Sequence, residues 1–450
     1  MNAIRDSRWA WAAAAVAVCL GLALFGLRHK VLRSVPLYYQ AAGTLPDEIK
    51  AAKQEGLPMT PADLVRPIAV PDARNGALLY AQIAAVNVYP KADAYLVAVI
   101  KGKATDTDRE ATRRFLAKAT PRLHLAAQAS MLPDCDFHRN WSLGPSLLLP
   151  EYAPMRATAR LLAAQAMLQS EAGHPEAALD TIRVGAHMAR MVGKEPTVIS
   201  LLVGIALEAI MDRVFQRVIE RYADRPDILR LAAQTEQEFG PTPDVRNALR
   251  GEVVMCRTMA GMVRKDEDLS FINVNLRVPI TGAPNTVVAD AYEARSLAFW
   301  RRVFAAVSRT PDDPMATYIA FKAVNDVEEV METGSDGKPK PTYELSALLC
   351  PYFSGAAEKV VRNEAQRRLR RTLFALLAYR QREGHFPPTL SLLSPTAPSD
   401  PYIHQPLHYR RTEKGFLLYS VGSNLIDDGG NAKPAKKGEL PPDIVTVFPL

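Results

Sequence analysis

Four cysteines in 450 residues are too few and too scattered to frame a fold. Cys19, Cys135, Cys256 and Cys350 form no CxxC pair, which excludes a disulfide-stapled scaffold and a zinc ribbon. One long-range disulfide in an oxidising compartment is left open. Glycine is sparse at 24 residues and alanine is abundant, a composition that favours helix. Neither charge dominates. The 55 Lys and Arg exceed the 48 Asp and Glu by a net +7, and the excess is spread along the chain. No aromatic-plus-basic motif accompanies it, so nucleic acid is not an expected partner. GxxxxGK[ST], GxSxG, HExxH and GxGxxG are all missing. Their absence argues against nucleotide hydrolysis, α/β-hydrolase chemistry and zincin proteolysis.

Long apolar runs are also missing, with one exception. Trp9 to Leu27 is 19 residues without a charge. As a helix it is about 28 Å long, close to the ~30 Å hydrocarbon core of a bilayer. Trp9 and Trp11 sit where an interfacial aromatic belt lies, and Arg28, Lys30 and Arg33 close the span. The run is longer than the apolar region of a cleavable signal peptide, so an uncleaved signal anchor in the bilayer is expected.

The rest reads as mainly helical. Residues 1–34 form the anchor. Residues 35–71, with Pro36, Pro46, Pro58, Pro61 and Pro67, read as a tether with short helices. Residues 72–333 carry helical apolar spacing throughout, as a bundle or array of hairpins. The best-marked hairpin is 154–190, where Gly173-His174-Pro175-Glu176 ends one helix and starts the next. Its Gly-x-x-Glu-Ala-Ala-Leu turn is similar to tetratricopeptide repeats, which implies a peptide groove around 154–222. A polar connector at 334–354 then leads to a last segment, 355–450.

That last segment runs from a basic amphipathic helix through Gly384-His385-Phe386-Pro387 and Asp400-Pro401 to Gly415-Phe-Leu-Leu-Tyr-Ser-Val-Gly422 and Asp427-Asp428-Gly429-Gly430. It resembles the soluble part of a type II secretion major pseudopilin, over about a fifth of the chain. Strands are expected at Leu407–Arg411, Phe416–Val421 and Ile444–Phe448. The resemblance implies a small α+β module, a periplasmic body anchored in a bacterial inner membrane, and partners among envelope or secretion proteins. It also implies calcium at the acidic loop, with Asp427, Asp428 and Asn431 as oxygen donors. Anchor, helical hairpins and pseudopilin-like end together point to a scaffold or interaction protein.

A catalytic alternative rests on four residues. Cys135 and His138, in Asp134-Cys135-Asp136-Phe137-His138, offer two zinc ligands or a nucleophile and its base. Glu208 and Asp212 lie one turn apart on an apolar helix, a spacing suited to acid–base work or to pairing with arginine. His404 and His408 are four apart in an expected hairpin, where that spacing does not bring side chains together. On the basic helix, Val361, Ala365, Leu369, Leu373 and Leu376 make an apolar stripe. Arg367, Arg368, Arg370 and Arg371 crowd the other faces and read as a solvated surface, or as one that docks on a membrane or acidic partner.

Overall fold

The computed structural model describes residues 35–86, 94–267, 283–309, 313–332, 354–434, 436 and 440–449. The expected span at 9–27, most of the connector at 334–354, and both Cys19 and Cys350 lie outside the described residues. Among those described, no helix is long and apolar enough to cross a membrane.

Twelve named helices precede a single small sheet among the described residues. They are α1 (Leu45–Gln54), α2 (Gly76–Ala85), α3 (Ala94–Ile100), α4 (Asp106–Ser130), α5 (Tyr152–Glu171) and α6 (Pro175–Gly193). Then come α7 (Val198–Arg221), α8 (Pro226–Glu238), α9 (Val245–Arg264), α10 (Asn285–Val307), α11 (Pro314–Glu332) and α12 (Ser354–Glu383). Strands β1 (His408–Arg411), β2 (Phe416–Ser420) and β3 (Ile444–Phe448) form an antiparallel sheet in chain order, with Arg411 opposite Phe416 and Phe416 opposite Phe448.

The helix bounds follow from local chemistry. Thr105 and Asp108 form a reciprocal capping box at the start of α4. Thr197 and Asp244 cap α7 and α9 by accepting from Ser200 N–H and Arg246 N–H. Gly173, at φ 85°, takes the left-handed turn between α5 and α6, and Pro175 opens α6. The helical spacing of residues 72–99 is met by α2 and α3, with residues 87–93 outside the description.

Two apolar cores result. The first gathers α2 to α8 together with the sheet: Tyr80, Phe215 and Leu207 share it with Phe386, Phe416 and Phe448. The second gathers α1, α9, α10 and α11 around Trp300, Tyr292 and Phe321. Helix α12 belongs to both. Ala356 and Val360 lie in the second core, while Val361, Ala365, Leu369, Leu373 and Leu376 lie in the first. Each buried Leu or Val among these contributes about 1.5–3 kcal/mol of transfer free energy.

Three sequence expectations change here. The proposed tether is helical in large part and packs on the body: Tyr38 and Ala52 are buried, and Arg301 of α10 ion-pairs with Glu48 and Glu55 at 2.7 and 2.5 Å. The hairpin α5–α6 is no solenoid wall. Helix α6 is packed by α4, α5, α7 and α8, so the hairpin is built into the bundle rather than stacked as a separate repeat. Close packing of α6 on α7 requires Gly204, whose Cβ would sit 2.9 Å from both Ala189 O and Gly193 Cα. Finally, the C-terminal segment does not stand apart, because its helix is built into both cores.

Candidate functional site

The two carboxylates and the arginine-rich helix find each other. Glu208 and Asp212 project from α7, Glu236 from α8, and Arg367 and Arg370 from α12. Arg367 grips Glu208 bidentately, with Nε to Oε1 at 2.7 Å and Nη2 to Oε2 at 2.5 Å. Its remaining N–H groups donate to Gly240 O at 2.6 Å and Phe239 O at 3.1 Å. Arg370 donates to Asp212 and to Glu236, and stacks 4.3 Å from the Phe239 ring centre. Arg367 and Arg370 are only 2% and 1% exposed, which overturns the solvated-face expectation for these two. The acidic partner is the chain's own pair of helices. Burial works against the charge on Arg370, but Asp212, Glu236 and Glu208 outweigh it and hold the guanidinium above its ordinary pKa. Arg368 turns elsewhere, to Glu364 at 2.8 Å and Ser399 O at 3.0 Å, and Arg371 is exposed.

This arrangement removes Glu208 and Asp212 as an acid–base pair. Catalytic carboxylates need different environments and access to a substrate. Here Glu208 has both oxygens occupied by one guanidinium, and Asp212 accepts from Arg370 and from Gln216 at 3.0 Å.

Cys135 and His138 lie together on the wall of a cavity of about 270 Å³, with Arg66, Arg139, Lys194 and Glu195. Asn75 organises the loop: it caps α2, accepts from Asp136 N–H at 2.9 Å, donates to Asp136 O at 2.8 Å, and meets His138 Nε2 at 3.2 Å. No hydrogen bond joins the Cys135 thiol to the His138 ring among the described residues. Burial, helped by the nearby Glu195 charge, pushes the Cys135 thiol far up, which opposes a nucleophilic thiolate. Cys135 is buried and in no disulfide.

Beneath that cavity lies a polar network that spacing alone does not reveal. Tyr152 shares hydrogen bonds with Glu195 and with Ser200 (2.6 Å), and Thr197 bonds Ser200 at 2.5 Å. Arg139 ties Glu195 to Glu151 at 3.1 and 2.9 Å and lies 4.4 Å from the Phe137 ring centre. Desolvation raises the Tyr152 and Glu195 pKa values. The one sequence trace of this network is the Thr197-x-x-Ser200 cap of α7.

The acidic loop does not fit calcium. Asp427 accepts from Tyr419 Oη at 2.8 Å and Gly429 N–H at 2.9 Å, and faces His408 Nδ1 at 3.4 Å. Asp428 accepts from the Asn424 side chain at 2.7 Å, and Asn431 Oδ1 accepts from Lys433 N–H at 3.0 Å. Their oxygens serve separate turns, and among the described residues no group of three or more His, Cys, Asp or Glu is placed to hold a metal. The loop is closed instead by Asp443, which accepts from Gly430 and Asn431 N–H at 2.8 Å each. Asp400 plays the same part in the sheet. It is fully buried and accepts from Ser420 Oγ, Val421 N–H and Tyr402 N–H at 2.9, 3.0 and 2.9 Å. His404 and His408 are kept apart, His404 facing Asp313 at 3.4 Å while His408 stacks on Tyr419 at 4.9 Å.

Set against family models, curated proteins and solved structures, the chain matches none.

Proposed function

We propose that this protein is a membrane-anchored, non-catalytic scaffold of the bacterial envelope, whose helical body carries a pseudopilin-like C-terminal module toward secretion or pilus-like partners. The anchor is the apolar run Trp9–Leu27, and the body lies on the periplasmic side. The observation that carries the reading is the Arg367–Arg370 cluster with Glu208, Asp212 and Glu236. It commits to structure the carboxylates best placed for chemistry, and it fixes the helix of the C-terminal module to the body. A module held this way moves with its support, as a presenting scaffold requires. The expected strands at 407–411, 416–421 and 444–448 coincide with β1 to β3, in keeping with the α+β module that the resemblance implies.

In-cell crosslinking of the full-length chain, detergent extraction and mass spectrometry test this reading. Secretion or pilus components should co-purify with it. A reporter enzyme active only outside the cytoplasm, fused after Leu450, should be active. An inactive reporter would reverse the topology, and a crosslinked set free of envelope proteins would overturn the scaffold reading.

A further inference from the structure

A cavity of about 450 Å³ lies between the C-terminal end of α4, one face of α6 and the end of α8. That is within the ~300–1,000 Å³ typical of small-molecule sites. Ala127 and Val184 wall it, and Met131, 82% exposed, stands at its edge. Methionine is a soft, adaptable side chain that suits an apolar guest. The charges at the cavity balance. Arg183 lies 3.7 Å from both Asp180 and Glu238, and Arg190 lies 3.4 Å from Glu238. Two cations answer two acids, so the opening selects for no ion.

One polar group there is not answered. His187, on the same face of α6 as Asp180 and Val184, lines the cavity and is only 5% exposed. Its Nδ1 meets the Tyr80 hydroxyl at 3.3 Å. Tyr80 is fully buried, and its hydroxyl has no other hydrogen-bond partner among the described residues. A buried hydroxyl must place its proton on an acceptor, so Tyr80 donates to Nδ1 and the ring proton sits on Nε2. The two ring nitrogens face nearly opposite ways. With Nδ1 turned into the core, Nε2–H is directed to the cavity, and it has no partner among the described residues. Burial, helped by Arg190 and Lys194, pushes the His187 pKa down to about 4, so the ring stays neutral.

We propose that this cavity binds a small neutral carbonyl compound, its oxygen accepting from His187 Nε2–H and its apolar body resting against Ala127, Val184 and Met131. A neutral donor in an apolar recess is best matched by a neutral acceptor, because a charged one would be desolvated without a counter-ion. A carboxylate would also meet Asp180 and Glu238, and a cation would find no acceptor on His187. No residue of α12 or of the sheet lines the cavity, so the inference is independent of the scaffold reading.

Photolabelling of the full-length protein with benzophenone, a neutral aryl ketone that inserts into nearby C–H bonds on irradiation, tests the proposal. Peptide mass spectrometry should find adducts at Met131 and Val184 that saturate with probe concentration. Acetophenone should compete for these adducts about two- to tenfold better than α-methylstyrene, which has the same shape without the oxygen; that ratio is the worth of one neutral hydrogen bond. In His187→Phe the preference should vanish or reverse. Ala127→Phe, which fills the recess without touching the Tyr80–His187 pair, should abolish the saturable adducts. The proposal is overturned by the absence of saturable adducts at these residues, by equal competition from ketone and alkene in the parent, by a preference that survives His187→Phe, or by adducts that survive Ala127→Phe. Circular dichroism checks the variants; if His187→Phe has unfolded, the ketone–alkene comparison on the parent and Ala127→Phe carry the test.

Discussion

Arg370 holds two carboxylates that come from different helices, in a place where water does not reach. Removing one partner from such a cluster leaves the others charged, buried and unmatched. Arg370→Ala should therefore cost about 3–5 kcal/mol in urea unfolding. Arg371→Ala, whose Glu236 contact is 3.8 Å and exposed on the arginine side, should change stability by less than about 1 kcal/mol. Similar losses in the two variants would sink the view that the cluster is structural. Glu252 is a second residue-scale test. Its carboxylate accepts from Val198 N–H at 2.9 Å, and burial raises its pKa from 4.5 to about 7. The folded protein thus binds a proton that the unfolded chain has released, and stability falls as pH rises from about 4.5 to 7. Glu252→Gln keeps an acceptor for Val198. It should flatten that slope and gain about 1–3 kcal/mol at neutral pH, measured by thermal melts across pH. Asp443→Ala removes two charge-assisted bonds to the Gly430–Asn431 turn and should destabilise by ~2 kcal/mol or more. Chelator, by contrast, should leave the melting temperature of the full chain unchanged. A calcium-dependent rise would mean the loop rearranges around the ion.

At the scale of elements, Gly204 sets the approach of α7 to α6. Gly204→Val should separate the helices at a cost of about 1–3 kcal/mol, seen as a lowered urea midpoint. A neutral effect would show that Ala189 and Gly193 can yield. The elements also show what the sequence carried. Helix ends were legible because Thr197, Gly173, Pro175 and Asp244 are local signals, read within a few residues of where they act. The strands were legible from the short apolar runs beside Gly415. The partners of each face were not. Four arginines in five positions of α12 look like a wet surface, and the carboxylates that bury two of them lie 134 to 159 residues earlier. Glu208 and Asp212 were found as a pair, but spacing cannot say whether a guanidinium or a substrate meets them. The acidic loop misled in the opposite direction: Asp427 accepts from a turn N–H and a hydroxyl and Asp428 from a side-chain amide, uses of carboxylate that composition does not separate from cation binding.

On the scale of the molecule, α12 joins two cores that otherwise meet through few side chains, Val198 and Leu201 at the start of α7 among them. The segment 355–450 cut from the body would expose Val361, Leu369 and Leu373 and leave Arg367 and Arg370 without acids. Expressed alone it should show little amide protection in hydrogen exchange. A fragment that gives a dispersed, protected spectrum would show that the sheet and the triad Phe386, Phe416 and Phe448, with ring centres 5.0 to 5.5 Å apart, suffice.

Arg367 and Glu208 are separated by 159 positions, and the order of synthesis gives that interval a direction. The acids leave the ribosome first and their cations follow. At ~5–20 residues per second the wait lasts on the order of ten seconds. Through that interval the body has an apolar gap where α12 belongs and three carboxylates with no counter-charge. Only a chain translated past Arg370 can close that gap, so a product that stops before α12 stays open to proteolysis.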